Sequence, residues 1–114
     1  MSETDLIILS DETFATAIRG RTPLVVDFWA QWCPPCGPMA RTLAELAPEF
    51  AGRLRLAKIN ADENPETTRA YRVMSMPTLL FFTGGTLTGQ LVGLRPKAVL
   101  RQALENALTP YANV

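Results

Sequence analysis

Asp27-Phe28-Trp29-Ala30-Gln31-Trp32-Cys33-Pro34-Pro35-Cys36 is the stretch on which the reading of this chain turns. It holds both cysteines of the sequence and lies where the apolar run Leu24 to Ala30 gives way to an amphipathic segment. A run of that kind fits a strand buried on both faces of a sheet, so the cysteine pair falls at a strand-to-helix junction. A helix beginning at the pair aims its positive dipole end and free backbone N–H groups at the first sulfur, which lowers the thiol pKa. The thiolate is the attacking species in disulfide exchange. Chain order therefore proposes Cys33, at the protein surface, as nucleophile and Cys36 as the second thiol.

The same spacing fits other chemistry. A C-x-x-C can be half of a zinc site, a structural disulfide, or two buried thiols packing as small hydrophobes. The chain has no histidine and no third cysteine, which excludes a zinc site within one chain on count. A structural disulfide across so short a loop scarcely restricts the unfolded chain. Inert buried thiols and a metal shared between two chains stay open on spacing alone.

At 114 residues the chain reads as a single domain over 1–114, long enough to bury roughly two thirds of its unfolded surface. A content of 47% hydrophobic and 19% charged residues is that of a soluble globular protein and excludes disorder. Eleven basic and eleven acidic residues cancel, and neither sign runs longer than two. Nothing there provides the electrostatic footprint of a nucleic-acid or anionic-membrane binder. Residues 1–9 carry acids where a secretory signal carries basic residues, with four successive apolar residues in place of a longer block. No apolar run approaches the roughly twenty residues of a membrane helix. A cytoplasmic chain is expected, in a compartment where a cysteine pair is more often catalytic than structural.

Outward from the motif, Leu6 to Leu9 predicts a first strand, and Ser10-Asp11-Glu12 predicts an N-cap and first turn of a helix that Gly20 ends. After the cysteines, Met39, Leu43, Leu46, Ala47 and Phe50 make one face of a helix. Pro38 falls in its first turn, and Pro48 is placed to kink or terminate it. Arg53 to Ile59 reads as a strand, and Asn64-Pro65-Glu66 as the cap and start of a short helix toward Tyr71. Thr78 to Phe82 and Thr86 to Val92 form a hairpin through Gly84-Gly85. Pro96 opens a last helix closed by Thr109-Pro110. The order βαβαβα then ββα implies an α/β fold with one mixed sheet and helices on both faces.

These segments resemble the thioredoxin family. Val25 to Cys36 is similar to its active-site strand and motif, Ala57 to Pro65 to its third strand and following loop, Met76 to Phe82 to its cis-proline segment, and Val92-Gly93 to the glycine after its last strand. The resemblance implies a thioredoxin fold, a central mixed five-stranded sheet flanked by four helices. It also implies a protein disulfide reductase with no bound cofactor, recharged by thioredoxin reductase with NADPH and acting on disulfide-containing proteins as a monomer. By the same resemblance Cys33 forms a mixed disulfide that Cys36 resolves. Asp27, a carboxylate in a buried strand, accepts the Cys36 proton, and Lys58 modulates that acid. Pro77 follows a cis bond and leaves the Met76 backbone free to pair with an extended substrate. Trp32, Pro35, Met74, Gly93 and Leu94 line the surrounding groove, while Trp29 is read as core.

Two positions depart from the family pattern. Pro34 stands where glycine is common; the resulting Pro34-Pro35 dipeptide stiffens the ring and removes two N–H donors near Cys33, a change that bears on the redox potential, of which about 30 mV is roughly 1.4 kcal/mol for this couple. Arg41 stands where a helix-kinking proline is frequent. Trp-Cys-Pro-Pro-Cys also resembles membrane-tethered reductases of cytochrome maturation, which commonly lack the buried acid that Asp27 provides here. A binding module that holds partners without turnover is the reading from another class.

Overall fold

The computed structural model describes residues 6–108. Nine elements follow in order: β1 (Ile7–Ile8), α1 (Phe14–Ala17), β2 (Leu24–Trp29), α2 (Cys36–Phe50), β3 (Arg55–Asn60), α3 (Pro65–Ala70), β4 (Thr78–Thr83), β5 (Thr86–Val92) and α4 (Lys97–Ala107). The strands form one sheet in the order β1-β3-β2-β4-β5. β3 runs parallel to both β1 and β2, whereas β4 is antiparallel to β2 and to β5. This is the mixed five-stranded sheet with four helices that the sequence predicts.

Alternation along β2 divides the core. Leu24, Val26 and Phe28 pack with Phe14, Ile18, Ile59 and Phe82 under α1, with Tyr71 and Val73 beside them. Val25 points the other way, into a cluster with Met39, Leu43, Leu46 and Phe50 of α2 and Leu100 and Leu104 of α4. Successive strand residues face opposite sides, so Asp27 and Trp29 share the α2 face with Val25. The central strand is buried from Leu24 to Phe28, which accounts for its apolar run, interrupted at Asp27. Gly84 and Gly85 both have positive φ, 57° and 86°, the backbone that a two-residue hairpin turn demands.

Several local expectations need correction. The strand read from Leu6 to Leu9 pairs only at Ile7 and Ile8, at the sheet edge, where Ile8 is 76% exposed. α1 starts at Phe14 rather than at Asp11, because residues 10–13 form a turn in which Ser10 O accepts the N–H groups of Thr13 and Phe14. It ends at Ala17, before Gly20. Asn64 does not cap α3 with its side chain. The Asp11 carboxylate does so from across the fold, accepting the N–H groups of Thr67 (2.8 Å) and Glu66 (3.3 Å). Asn64 Oδ1 in return accepts the Asp11 N–H at 2.8 Å. Pro48 does not terminate α2, which continues to Phe50: a proline costs a helix the bond to the residue four earlier, and packing of Phe50 into the core outweighs it. The Thr109-Pro110 stop lies outside the described residues, as do residues 1–5.

Candidate active site

Cys33 and Cys36 are joined in a disulfide at the junction between β2 and α2, with Cα atoms 5.4 Å apart. The loop that presents them is tied down at each end: the Cys33 N–H donates to Ala30 O, and the Cys36 N–H to Cys33 O, both at 3.2 Å. Ala30, Trp29 and Met76 pack around the sulfurs. Among the described residues no cluster of three or more His, Cys, Asp or Glu is placed to hold a metal.

Two expectations about Cys33 change. It is not a surface residue: only 6% of it is accessible, against 4% for Cys36. A reacting disulfide must approach between the exposed flanks Trp32 and Pro34. The helix N-terminus also offers fewer donors than supposed. Pro34, Pro35 and Pro38 have no N–H, and that of Cys36 is used by Cys33 O, so Gly37 provides the N–H of this turn without a backbone partner among the described residues.

Below the disulfide a cleft of about 370 Å³ is lined by Asp27, Trp29, Cys33, Cys36, Ala40 and Lys58, among others. Asp27 is only 2% exposed, and its Oδ1 has no hydrogen-bond partner among the described residues. Burial disfavours the charged form and pushes its pKa up from 3.8 to about 7, while the positive charge of Lys58 pulls the other way. Lys58 is the register partner of Asp27 across the parallel β2–β3 pair. Its Nζ stands 5.7 Å from the centroid of the Trp29 ring, within cation–π range. Trp29, read as core, is therefore a wall of the cleft. Its placement two residues after Asp27 on one strand was the available signal.

On the other side of the disulfide, the Met76–Pro77 bond is cis, as the resemblance implied. Cys33 Sγ lies 3.4 Å from the Met76 carbonyl oxygen. The Gly93 N–H donates to Pro77 O at 2.8 Å, which fastens the end of β5 to this loop. Gly93 has φ 93°, a conformation that L side chains rarely adopt, so the fastening requires glycine. Pro35 is half-buried. Trp32 is 62% exposed and its indole Nε1 donates to Asp62 Oδ2 at 2.7 Å. Met74 is 90% exposed and Leu94 is exposed as well. Neither belongs to the cluster around the sulfurs. Asp62 was not anticipated, although Asn60-Ala61-Asp62 after a strand is a local turn signal.

A C-x-x-C disulfide at a strand-to-helix junction, facing a cis-proline loop on a mixed sheet, defines a thiol–disulfide oxidoreductase. The family profile described as Thioredoxin matches residues 5–106. The chain is 48% identical over 100 residues to thioredoxin of Alicyclobacillus acidocaldarius subsp. acidocaldarius, covering 88% of this chain and 95% of that protein. It is 44% identical over 104 residues to thioredoxin of Acidithiobacillus ferridurans, covering 90% and 96%. With thioredoxin 1 of Nostoc sp. the identity is 40% over 101 residues, covering 88% and 94%. The chain belongs to the thioredoxin family, whose members act on disulfide-containing substrates and bind no cofactor. No helix among the described residues is long and apolar enough to cross a membrane.

Proposed function

We propose that this protein reduces disulfides in other proteins, in the cytoplasm and as a monomer, and is recharged by thioredoxin reductase at the expense of NADPH. The Cys33 thiolate attacks one sulfur of the substrate disulfide, forming a Cys33–substrate bond and expelling the other substrate sulfur as a thiolate. Asp27 takes the proton from the Cys36 thiol. The Cys36 thiolate then attacks Cys33 Sγ, closes the protein disulfide and releases the second substrate sulfur, which picks up a proton. The substrate gains two electrons and the dithiol loses two.

The observation that carries this reading is the buried Asp27 carboxylate, whose Oδ1 has no hydrogen-bond partner among the described residues, in the same cleft as both sulfurs. With a pKa near 7 it is suited to accept a proton at neutral pH. Lys58, close enough to bear on that charge, modulates it. The exposed Trp32, Met74 and Leu94, with Pro35, Met76, Pro77 and Gly93, form the surface that receives an extended substrate segment. The Met76 backbone pairs with that segment as an added strand.

The test is reduction of insulin disulfides by NADPH and a thioredoxin reductase in the presence of this protein, followed by trapping with Cys36→Ser. Turnover and a covalent Cys33–substrate adduct are expected. No turnover by the wild type, with full partner affinity and cellular activity kept in a Cys33→Ser, Cys36→Ser variant, would overturn the reading in favour of a binding module.

A further inference from the structure

Residues 60–64, the last residue of β3 and the loop from it to α3, form a bracket that the steps above do not use. Asn60 Oδ1 accepts the N–H groups of Asp62 at 2.9 Å and Glu63 at 3.2 Å. An asparagine that binds the backbone two and three residues ahead closes a side-chain-mimicked turn. The Asp62 carboxylate that this turn presents accepts the Trp32 indole N–H at 2.7 Å. The loop is anchored on both sides. The Ala61 N–H donates to Trp29 O at 2.8 Å, on the active-site strand. Asn64 Nδ2 donates to Asn60 O at 3.0 Å, and Asn64 Oδ1 accepts from the Asp11 N–H.

We propose that Asn60 is a positioning residue: by closing this turn it aims the Asp62 carboxylate at Trp32, and so fixes the exposed indole next to Cys33 in the orientation that a polypeptide substrate meets. This rests on the disulfide-reduction reading above. The indole is mostly outside the core, so among the described residues the Asp62 bond is the polar constraint on its orientation. A large side chain that must be ordered at the moment of docking weakens the encounter; one held in advance does not. A folded protein presenting an extended segment must cover the indole, whereas a small disulfide reaches the sulfur past it. Asn60 therefore sets preference between substrate classes and not the sulfur chemistry itself.

The experiment mixes fully reduced protein with either insulin or 2-hydroxyethyl disulfide in single turnover and compares the two rate constants. Wild type must first reduce insulin, and failure there sinks the disulfide-reduction reading and not this one. Asn60→Ala is expected to lower the insulin rate constant about fivefold, the worth of one lost hydrogen bond, with the small-disulfide constant within about twofold of wild type. Asn60→Asp keeps the turn's acceptor oxygen and should restore the insulin rate. Because Asn60 acts through Asp62, the Asn60→Ala, Asp62→Ala double variant should lose no more than Asp62→Ala alone. In a Trp29→Phe background, Trp32 emission should become more quenchable by acrylamide in Asn60→Ala and return in Asn60→Asp. Asp62→Ala leaves the Asn60 turn intact and keeps the comparison decisive should Asn60→Ala not fold. Equal losses with both substrates, additive losses in the double variant, or Trp32 emission unmoved would each overturn the proposal.

Discussion

Two aspartates of this molecule are pushed in opposite directions by their surroundings. Asp11, at the α1–α3 junction, accepts N–H groups from the first turn of α3, where the helix dipole also favours negative charge. Hydrogen bonds from Thr67, side chain and backbone, and from Glu66 hold it below the ordinary carboxylate range. Asp27, in the cleft beneath the disulfide, has no such donors at Oδ1 among the described residues, and burial drives it up to about 7. The side chains are identical. The first is matched by its donors and serves the fold, whereas the second is left unmatched at a cost to the fold, and that leaves it able to take a proton near neutral pH.

The largest effect that tests this contrast is Asp27→Asn. Loss of a positioned base costs about 100-fold or more, so resolution of the mixed disulfide by Cys36 should slow by that order at pH 7 and recover as pH rises. Stability of the oxidised protein should move the other way. Below pH 3.8 the Asp27 carboxyl is neutral folded and unfolded, and it costs nothing. Between 3.8 and about 7 only the unfolded chain ionises, so wild-type stability falls as pH rises; above about 7 the full penalty is in place. At about 1.36 kcal/mol per pH unit across that interval, wild type should lose roughly 4 kcal/mol relative to Asp27→Asn. Denaturant melts at pH 4 and pH 9 measure it, and a gap between the two proteins that stays constant with pH would break the contrast.

Asp11→Asn should give a smaller change of opposite sign, because this carboxylate faces solvent and its interactions are screened. Its pKa is depressed on folding, so its contribution is present above pH 3.8 and is lost as pH falls through the lower folded value. The variant should therefore be less stable than wild type at pH 7 and approach it in acid. Thermal melts at pH 7 and pH 2.5 check this. A stabilising effect at pH 7 would place both aspartates in one class.

How far this contrast was legible in the sequence depends on range. Asp27 stands out because it interrupts Leu24 to Ala30, and strand alternation puts it on the face of Val25 and under α2, which is local information. That its Oδ1 lacks a partner among the described residues is a property of the assembled cleft. Asp11 was read as part of a helix start in its own segment. Its real role lies 55 and 56 residues away, at Glu66 and Thr67, and no periodicity reports a cap supplied by so distant a segment of the chain. The same holds for Asp62 and Trp32, 30 residues apart. The cysteine pair, the hairpin through Gly84-Gly85 and the α2 stripe were readable because their signals are contained within a turn or two of chain. The pairing of β4 with β2 was not, since the hairpin settles only the partner on its other side.

A third carboxylate sharpens the comparison by removing burial while keeping the partner. Glu49 of α2 receives a two-pronged bond from Arg101 of α4, at 2.8 and 2.9 Å. That hydrogen bond holds its pKa below the usual range, although both side chains are about two fifths exposed. Exposed pairs gain little, because water and salt screen the attraction and two long side chains must be held still. Glu49→Gln should therefore destabilise less than Asp11→Asn, and the loss should shrink toward zero in about 1 M salt, where the screening length falls to roughly 3 Å. The Asp27→Asn gap, which comes from burial, should survive that salt almost unchanged. Melts of wild type and both variants at low and high salt separate the two origins, and a salt-sensitive Asp27 gap would mean that its raised pKa reflects neighbouring charge and not exclusion from water.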